Sequence, residues 1–118
     1  MTAIEIPAAV QTFIEATNRG DAEAFAAAFT HDAYLDDWGR VYRGRDGVRA
    51  WDRTDNIGVQ AHFELNAIEP GPASYTSSHT SSHTCVATLT VTGNGHNGTG
   101  AMTFGLRDGL IASLRITP

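Results

Sequence analysis

Lysine is missing from the chain altogether, and cysteine occurs once. The eight basic residues are all arginine and face 13 acidic ones, for a formal charge of -5 over 118 residues. A surface of that sign repels a phosphate backbone or an anionic bilayer, so neither nucleic acid nor membrane is an expected partner. Arginine without lysine is what GC-rich coding produces, and it bears on source rather than on function. A lone thiol, Cys85, permits neither an intrachain disulfide nor a thiolate metal cluster, and it fits a reducing cytoplasm. Long apolar runs are also missing. Glu5 and Glu15 interrupt the N-terminal stretch, and nothing approaches the ~18 residues of a membrane span, so neither a leader nor an anchor is expected. Nor is there a glycine loop of the phosphate-cradling kind, because Gly93, Gly95 and Gly98 fall between two extended segments rather than between a strand and a helix.

What remains is 42% hydrophobic, enough for one core, and a single domain over residues 1–118 is expected. Pro7 suits a helix start, and Val10, Phe13, Ile14 and Thr17 follow with helical spacing until Asn18, Arg19 and Gly20 supply a stop. Asp21 then caps a short helix carrying Phe25 and Phe29. Ala33 to Trp38 reads as a brief extended segment, and Gly39 to Gly47 as a polar connection. A third helix places Val48, Trp51, Asp52 and Asp55 on one face and ends at Asn56 and Gly58.

Beyond Gly58 the period becomes two. Val59, Ala61, Phe63, Leu65 and Ala67 alternate with Gln60, His62, Glu64 and Asn66, until Pro70, Gly71 and Pro72 close the strand. Thr84 to Thr92 is a second strand with Cys85, Ala87, Leu89 and Val91 on one side. Thr99 to Leu106 and Leu110 to Ile116 follow, joined through a tight Asp108-Gly109 hairpin. The one internal repeat, Ser77-Ser78-His79-Thr80 before Ser81-Ser82-His83-Thr84, is too short for a solenoid unit and reads as a lengthened hairpin. Three helices followed by antiparallel strands give an α+β class, with helices on one face of a curved sheet.

The residues Phe13-Ile14-Glu15, Gly20-Asp21, Asp32-Ala33-Tyr34-Leu35-Asp36-Asp37, Arg43-Gly44-Arg45, Val48-Arg49-Ala50-Trp51 and the final Leu106-Arg107-Asp108-Gly109-Leu110-Ile111 resemble the nuclear transport factor 2-like superfamily, and within it the SnoaL-like and ketosteroid-isomerase-like members. The resemblance implies a cone: a curved antiparallel sheet wrapped round three N-terminal helices, enclosing a pocket, in a homodimer formed through the outer sheet face. It is specific for fold and poor for function, because members include isomerases, cyclases, hydrolases, dehydratases and proteins without catalysis. In isomerase-like members the proton-shuttling aspartate stands five residues after the aspartate of an Asp-Ala pair, which from Asp32 gives Asp37. The oxyanion-binding tyrosine matches Phe13, the second oxyanion donor falls near Met102, and a supporting tyrosine matches Asp52. None of the three replacements is the family's residue, and each missing oxyanion donor removes roughly 3 to 4 kcal/mol of transition-state stabilisation. Steroid double-bond isomerisation is therefore not expected.

Asp37 is the candidate catalytic residue. If Leu35 and Asp37 face inward, an apolar wall makes that carboxyl group a workable general acid or base; if Tyr34 and Trp38 do, Asp37 is solvated in a loop. Phe13, Tyr34, Leu35, Trp38, Trp51, Asp55, Phe63, Met102 and Phe104 are the candidate pocket residues. Asp52 and Asp55 either reach the pocket mouth or form a solvated helix flank. His62 stands on the polar side of its strand and is expected to point outward; with the faces reversed it becomes a second acid-base group. The small Ala61, Ala87, Ala101 and Ala112 leave room on the sheet for a ligand. His79 and His83 have metal spacing only on a helix, which the surrounding serines and threonines disfavour, and the Asn97-Gly98-Thr99 sequon has no meaning without secretion. The sequence thus points to a domain that binds an apolar small molecule without metal or organic cofactor. It is either a cyclase or isomerase using Asp37 on a hydrophobic cyclic metabolite, a non-catalytic sequestering protein, or an interaction module.

Overall fold

In the computed structural model, which describes residues 6–70 and 83–117, three helices cover one face of a curved six-stranded sheet. Helix α1, Ala8–Arg19, buries Ala9, Val10, Phe13, Ala16 and Thr17, the stripe that its spacing predicts. It stops at Gly20, whose left-handed φ of 72° a side chain would resist. There the Asp21 N–H donates to the Ala16 carbonyl and the Gly20 N–H to the Thr17 carbonyl, so two of the orphan carbonyls of the last turn are satisfied. Asp21 then caps α2, Ala22–Ala27, by accepting from the Ala24 N–H at 3.1 Å.

Strand β1, Phe29–Asp37, begins four residues earlier than its sequence pattern suggested. The connection expected over Gly39 to Gly47 holds β2, Arg40–Arg43, and the first turn of α3, Gly44–Asp55. A short exposed edge strand needs no alternating apolar residues, which is why these arginines gave no strand signal. A 3-10 turn, Ile57–Val59, follows, so Val59 belongs to a turn and not to the next strand. The remaining strands are β3, His62–Pro70; β4, His83–Thr92; β5, Gly98–Arg107; and β6, Leu110–Thr117. In β3 a register shift between Leu65 and Ala67 reverses the faces, exposing Ala67 and turning Ile68 onto the core.

Sheet order among the described residues is β2-β1-β6-β5-β4-β3, with β2 and β3 at the edges. The sheet is mixed rather than wholly antiparallel, because β1 runs parallel to β6. That pairing joins the first strand to the last, and no local pattern in the sequence announces it. At the opposite edge the Asn18 side chain accepts from the Phe63 N–H at 2.7 Å and donates to the Phe63 carbonyl at 3.0 Å.

All five phenylalanines are buried. Phe13 sits at their centre, its ring centroid 5.2 Å from those of Phe25, Phe63 and Phe104 and 6.2 Å from that of Phe29. Such pairs add roughly 0.5–1.5 kcal/mol each to what burial contributes. No helix among the described residues is long and apolar enough to cross a membrane. The Ser77–Thr84 repeat, with His79, lies outside the described residues except for its last two, which open β4, and so do Gly71 and Pro72.

Candidate functional site

The site begins with a strained turn. Asp37 pairs with Arg40 across the β1–β2 hairpin, and both intervening residues have positive φ, 54° for Trp38 and 92° for Gly39. Two left-handed residues make the turn whose twist matches the flanking strands. Glycine adopts that conformation freely; a tryptophan does so at a cost of about 1–2 kcal/mol. The Asp36 carboxylate offsets part of this by accepting from the Gly39 N–H at 2.8 Å. The outcome is a Trp38 indole held out of the core, 60% exposed, with its edge toward His96 of the β4–β5 turn at 6.3 Å between centroids.

Behind these two rings lies an apolar cavity of about 90 Å³. Trp51, Asp55 and Asn56 of the α3 end, Val59, Ala61 and Phe63, Val91 and Thr92 of β4, Met102 of β5 and Ile116 of β6 form its walls, and Asp37 stands at its rim. It continues outward into a vestibule of about 290 Å³ bounded by Asp37, Trp38, Arg40, Asp55, Val59, Gly95 and His96. The turn that carries Gly95 and His96 is closed by Asn97, whose side chain accepts from the Gly93 N–H and donates to the carbonyls of Gly93 and Gly95.

The charged groups meet at the boundary between cavity and vestibule. Asp37 Oδ2 accepts from Trp51 Nε1 at 2.9 Å and from Arg40 Nη2 at 3.2 Å. The same Arg40 nitrogen lies 3.5 Å from Asp55 Oδ2, so one guanidinium bridges two carboxylates on different elements. The Asp37 side chain is 16% exposed, that of Asp55 30% and that of Arg40 60%. Asp55 above all holds the guanidinium still further into its charged range. Asp37 Oδ1 has no hydrogen-bond partner among the described residues. A carboxylate pinned through one oxygen, with the other unengaged beside an apolar cavity, can accept a proton from a ligand seated there.

Asp37, Trp38, Trp51, Asp55, Phe63 and Met102 therefore share one cavity. Phe13, Leu35 and Phe104 do not line it; each is fully buried beneath it in the phenylalanine core. Periodicity tells inward from outward but not wall from filling. Tyr34 is on the other side of the sheet, in a groove with Asp36, Thr103, Ser113 and Arg115, and Arg43 stacks 5.2 Å over its ring. Strand alternation separates it from Leu35. His62 points outward and is exposed. Asp52 is buried but faces α1 rather than the cavity: its Oδ1 accepts from Asn56 Nδ2 at 2.9 Å, and the same amide nitrogen donates to Thr17 Oγ1 at 2.9 Å. Desolvation raises the Asp52 carboxyl above the usual carboxylate range, against the lowering effect of the Asn56 bond. Sequence reasoning missed Arg40, Asn56, Gly95 and His96. Only Arg40 left a usable trace, as the residue facing Asp37 across a two-residue turn ending in glycine.

A family profile described as SnoaL-like domain matches residues 10–114. No curated protein matches the chain. Among solved structures, a candidate polyketide cyclase from Sinorhizobium meliloti superposes with a TM-score of 0.72 at 20% identity, over 99% of this chain and 100% of that one. A Mycobacterium tuberculosis protein in complex with estradiol-17β-hemisuccinate gives 0.74 at 18%, over 97% of this chain and 95% of its own. The orange carotenoid protein of Anabaena, binding canthaxanthin, gives 0.80 at 18% over 98% of this chain. The chain spans only 38% of that protein's length.

Proposed function

The chain belongs to the family of SnoaL-like domains, and from that premise we propose that it binds a small, apolar, cyclic molecule between cavity and vestibule, and that Asp37 moves a proton on it as general acid and base. This is the chemistry of a cofactor-independent cyclase or isomerase. The observation that carries it is the Asp37 carboxylate itself, mostly buried at the rim of an apolar cavity and held through one oxygen only. The hydrophobic ligands of two structural neighbours, canthaxanthin and estradiol-17β-hemisuccinate, support the class of molecule. Size narrows it. A cavity of about 90 Å³ is smaller than the ~150 Å³ that takes one benzene ring, so a ring system must extend past Trp38 into the vestibule. Such a domain would act as a homodimer across the outer sheet face, as part of the same proposal.

A non-catalytic binder is the second reading. It is favoured by the aromatic and thioether side chains at the positions where isomerase-like members carry oxyanion donors, Phe13 and Met102. One experiment separates the two. The only tryptophans of the chain, Trp38 and Trp51, both line the cavity, so their fluorescence reports occupancy. With 2-tetralone as probe, wild type is expected to show saturable quenching and to accelerate exchange of the α-protons in D2O, followed by NMR. Asp37→Asn should retain the quenching and lose ~10²- to 10⁴-fold in exchange, the range of a general base. Exchange that survives in Asp37→Asn rejects catalysis by Asp37 and leaves binding; absence of quenching in wild type rejects the ligand class.

A further inference from the structure

We propose that Arg40 supplies the oxyanion donor of this site, and that the molecule it serves is an enolisable cyclic carbonyl compound, bound with its oxygen on the guanidinium and its α-carbon facing Asp37. The proposal rests on the proton-transfer role given to Asp37 above. Arg40 presents five N–H donors in a planar fork. Its contacts with Asp37 and Asp55 both run through Nη2, and among the described residues neither Nε nor Nη1 has a partner. The side chain is 60% exposed and borders the vestibule, so those donors are open to a ligand.

Two of the other donors in the cavity wall are already engaged, and the Trp38 Nε1–H, without a partner among the described residues, carries no formal charge. Trp51 Nε1 already donates to Asp37, and the Asn56 amide nitrogen donates to Thr17 and Asp52. Thr92 and His96 border the space but have no hydrogen bond to Asp37. Among the described residues, Arg40 alone combines a full positive charge with direct contact to the base.

Charge selects the class further. Two carboxylates against one guanidinium leave the mouth with a surplus negative charge, which disfavours a carboxylate ligand and accepts a neutral carbonyl. In the reaction the C–H electron pair becomes the C=C bond of the enolate and the carbonyl π pair moves to oxygen. The proton goes to Asp37 Oδ1. As Asp37 loses its charge the substrate oxygen gains one, so Arg40 exchanges one anionic partner for another while Asp55 keeps it in place. Return of the proton from Asp37 to the same carbon gives exchange, and to the vinylogous carbon gives isomerisation.

The test uses 2-tetralone as substrate and 2-naphthol as the enol mimic, with Arg40→Gln and Arg40→Lys. Removing an oxyanion donor typically loses 10²- to 10³-fold, less where water reaches the site. Arg40→Gln is therefore expected to lower the exchange kcat by ~10- to 100-fold with little change in KM, and Arg40→Lys to retain part of it. Bound 2-naphthol should be more ionised, by its absorbance band, in wild type than in Arg40→Gln. Exchange lowered without any change in naphthol ionisation would make Arg40 a positioning residue for Asp37 and overturn the proposal. Wild-type exchange in Arg40→Gln, with Asp37→Asn inactive, overturns it while leaving Asp37 as base. Equal exchange in wild type and Asp37→Asn removes the base, and this proposal with it.

Discussion

Replacing Phe13 by tyrosine restores the residue that isomerase-like relatives carry there, and the structure gives the outcome a sign. The Phe13 ring has no solvent exposure and is surrounded by four other phenylalanine rings at 5.2 to 6.2 Å between centroids. A hydroxyl added to it has no polar partner within that cluster. Burying an unsatisfied hydroxyl costs about 1–3 kcal/mol, a sizeable part of the ~5–15 kcal/mol by which a domain of this size is stable. For a domain near this length that corresponds to a fall in Tm of roughly 5–15 °C. Thermal unfolding followed by far-UV circular dichroism measures it, and exchange of 2-tetralone under native conditions should stay at the wild-type rate. A Phe13→Tyr protein that melts with wild type and exchanges faster would refute the reasoning, since position 13 would then reach the ligand space rather than fill the core.

The strained turn at Trp38 predicts opposite effects on stability and binding: Trp38→Asn should raise stability by roughly 1 kcal/mol, because asparagine tolerates a left-handed φ, and should weaken 2-tetralone binding measured on Trp51 fluorescence. Asp52 predicts a pH dependence. Its pKa is raised in the fold, so the folded state binds the proton more tightly, and the stability tied to that proton is present below the usual value of 3.8 and lost as pH rises through the folded pKa. Asp52→Asn keeps an acceptor for Asn56 without the charge, so its stability relative to wild type should increase with pH across that window in urea titrations. A flat difference would show that burial of Asp52 carries no such penalty. Asp32 and Asp21 are shifted downward, Asp32 mainly by its bond from Arg107 and Asp21 mainly by the Ala24 N–H, and they act in the opposite sense as pH falls below 3.8, which is why the difference between the two proteins is the quantity to follow.

Much of the fold was legible because it rests on local physics. The Val10, Phe13 and Thr17 stripe, the Gly20 stop, the Asp21 cap, the alternation of Cys85, Ala87 and Leu89, and the Asp108-Gly109 turn each specify their element within a few residues. What escaped was non-local or lay at an edge. The parallel pairing of Leu35 with Leu114 joins residues far apart in the chain, and the four residues of β2 are mostly exposed. The site divides along the same line. Alternation separates Leu35 from Tyr34, yet it does not distinguish Leu35, sealed in the core, from Phe63, which reaches the cavity wall. Asp37 was found through its place in a resemblance. Its partners were not, since Arg40 meets Asp55 only because a hairpin and the end of a helix converge in space.

The side-chain amide of Asn18 has a bearing on what the β3 edge of this sheet can pair with. By offering one donor and one acceptor to the backbone of Phe63, it acts as a single-residue stand-in for a neighbouring strand on the outer edge of β3. A foreign strand seeking to zip onto that margin finds the rung at Phe63 already taken. A short polar side chain thus blocks one rung of that edge, and it does so from the helix whose Phe13 stacks on the same Phe63.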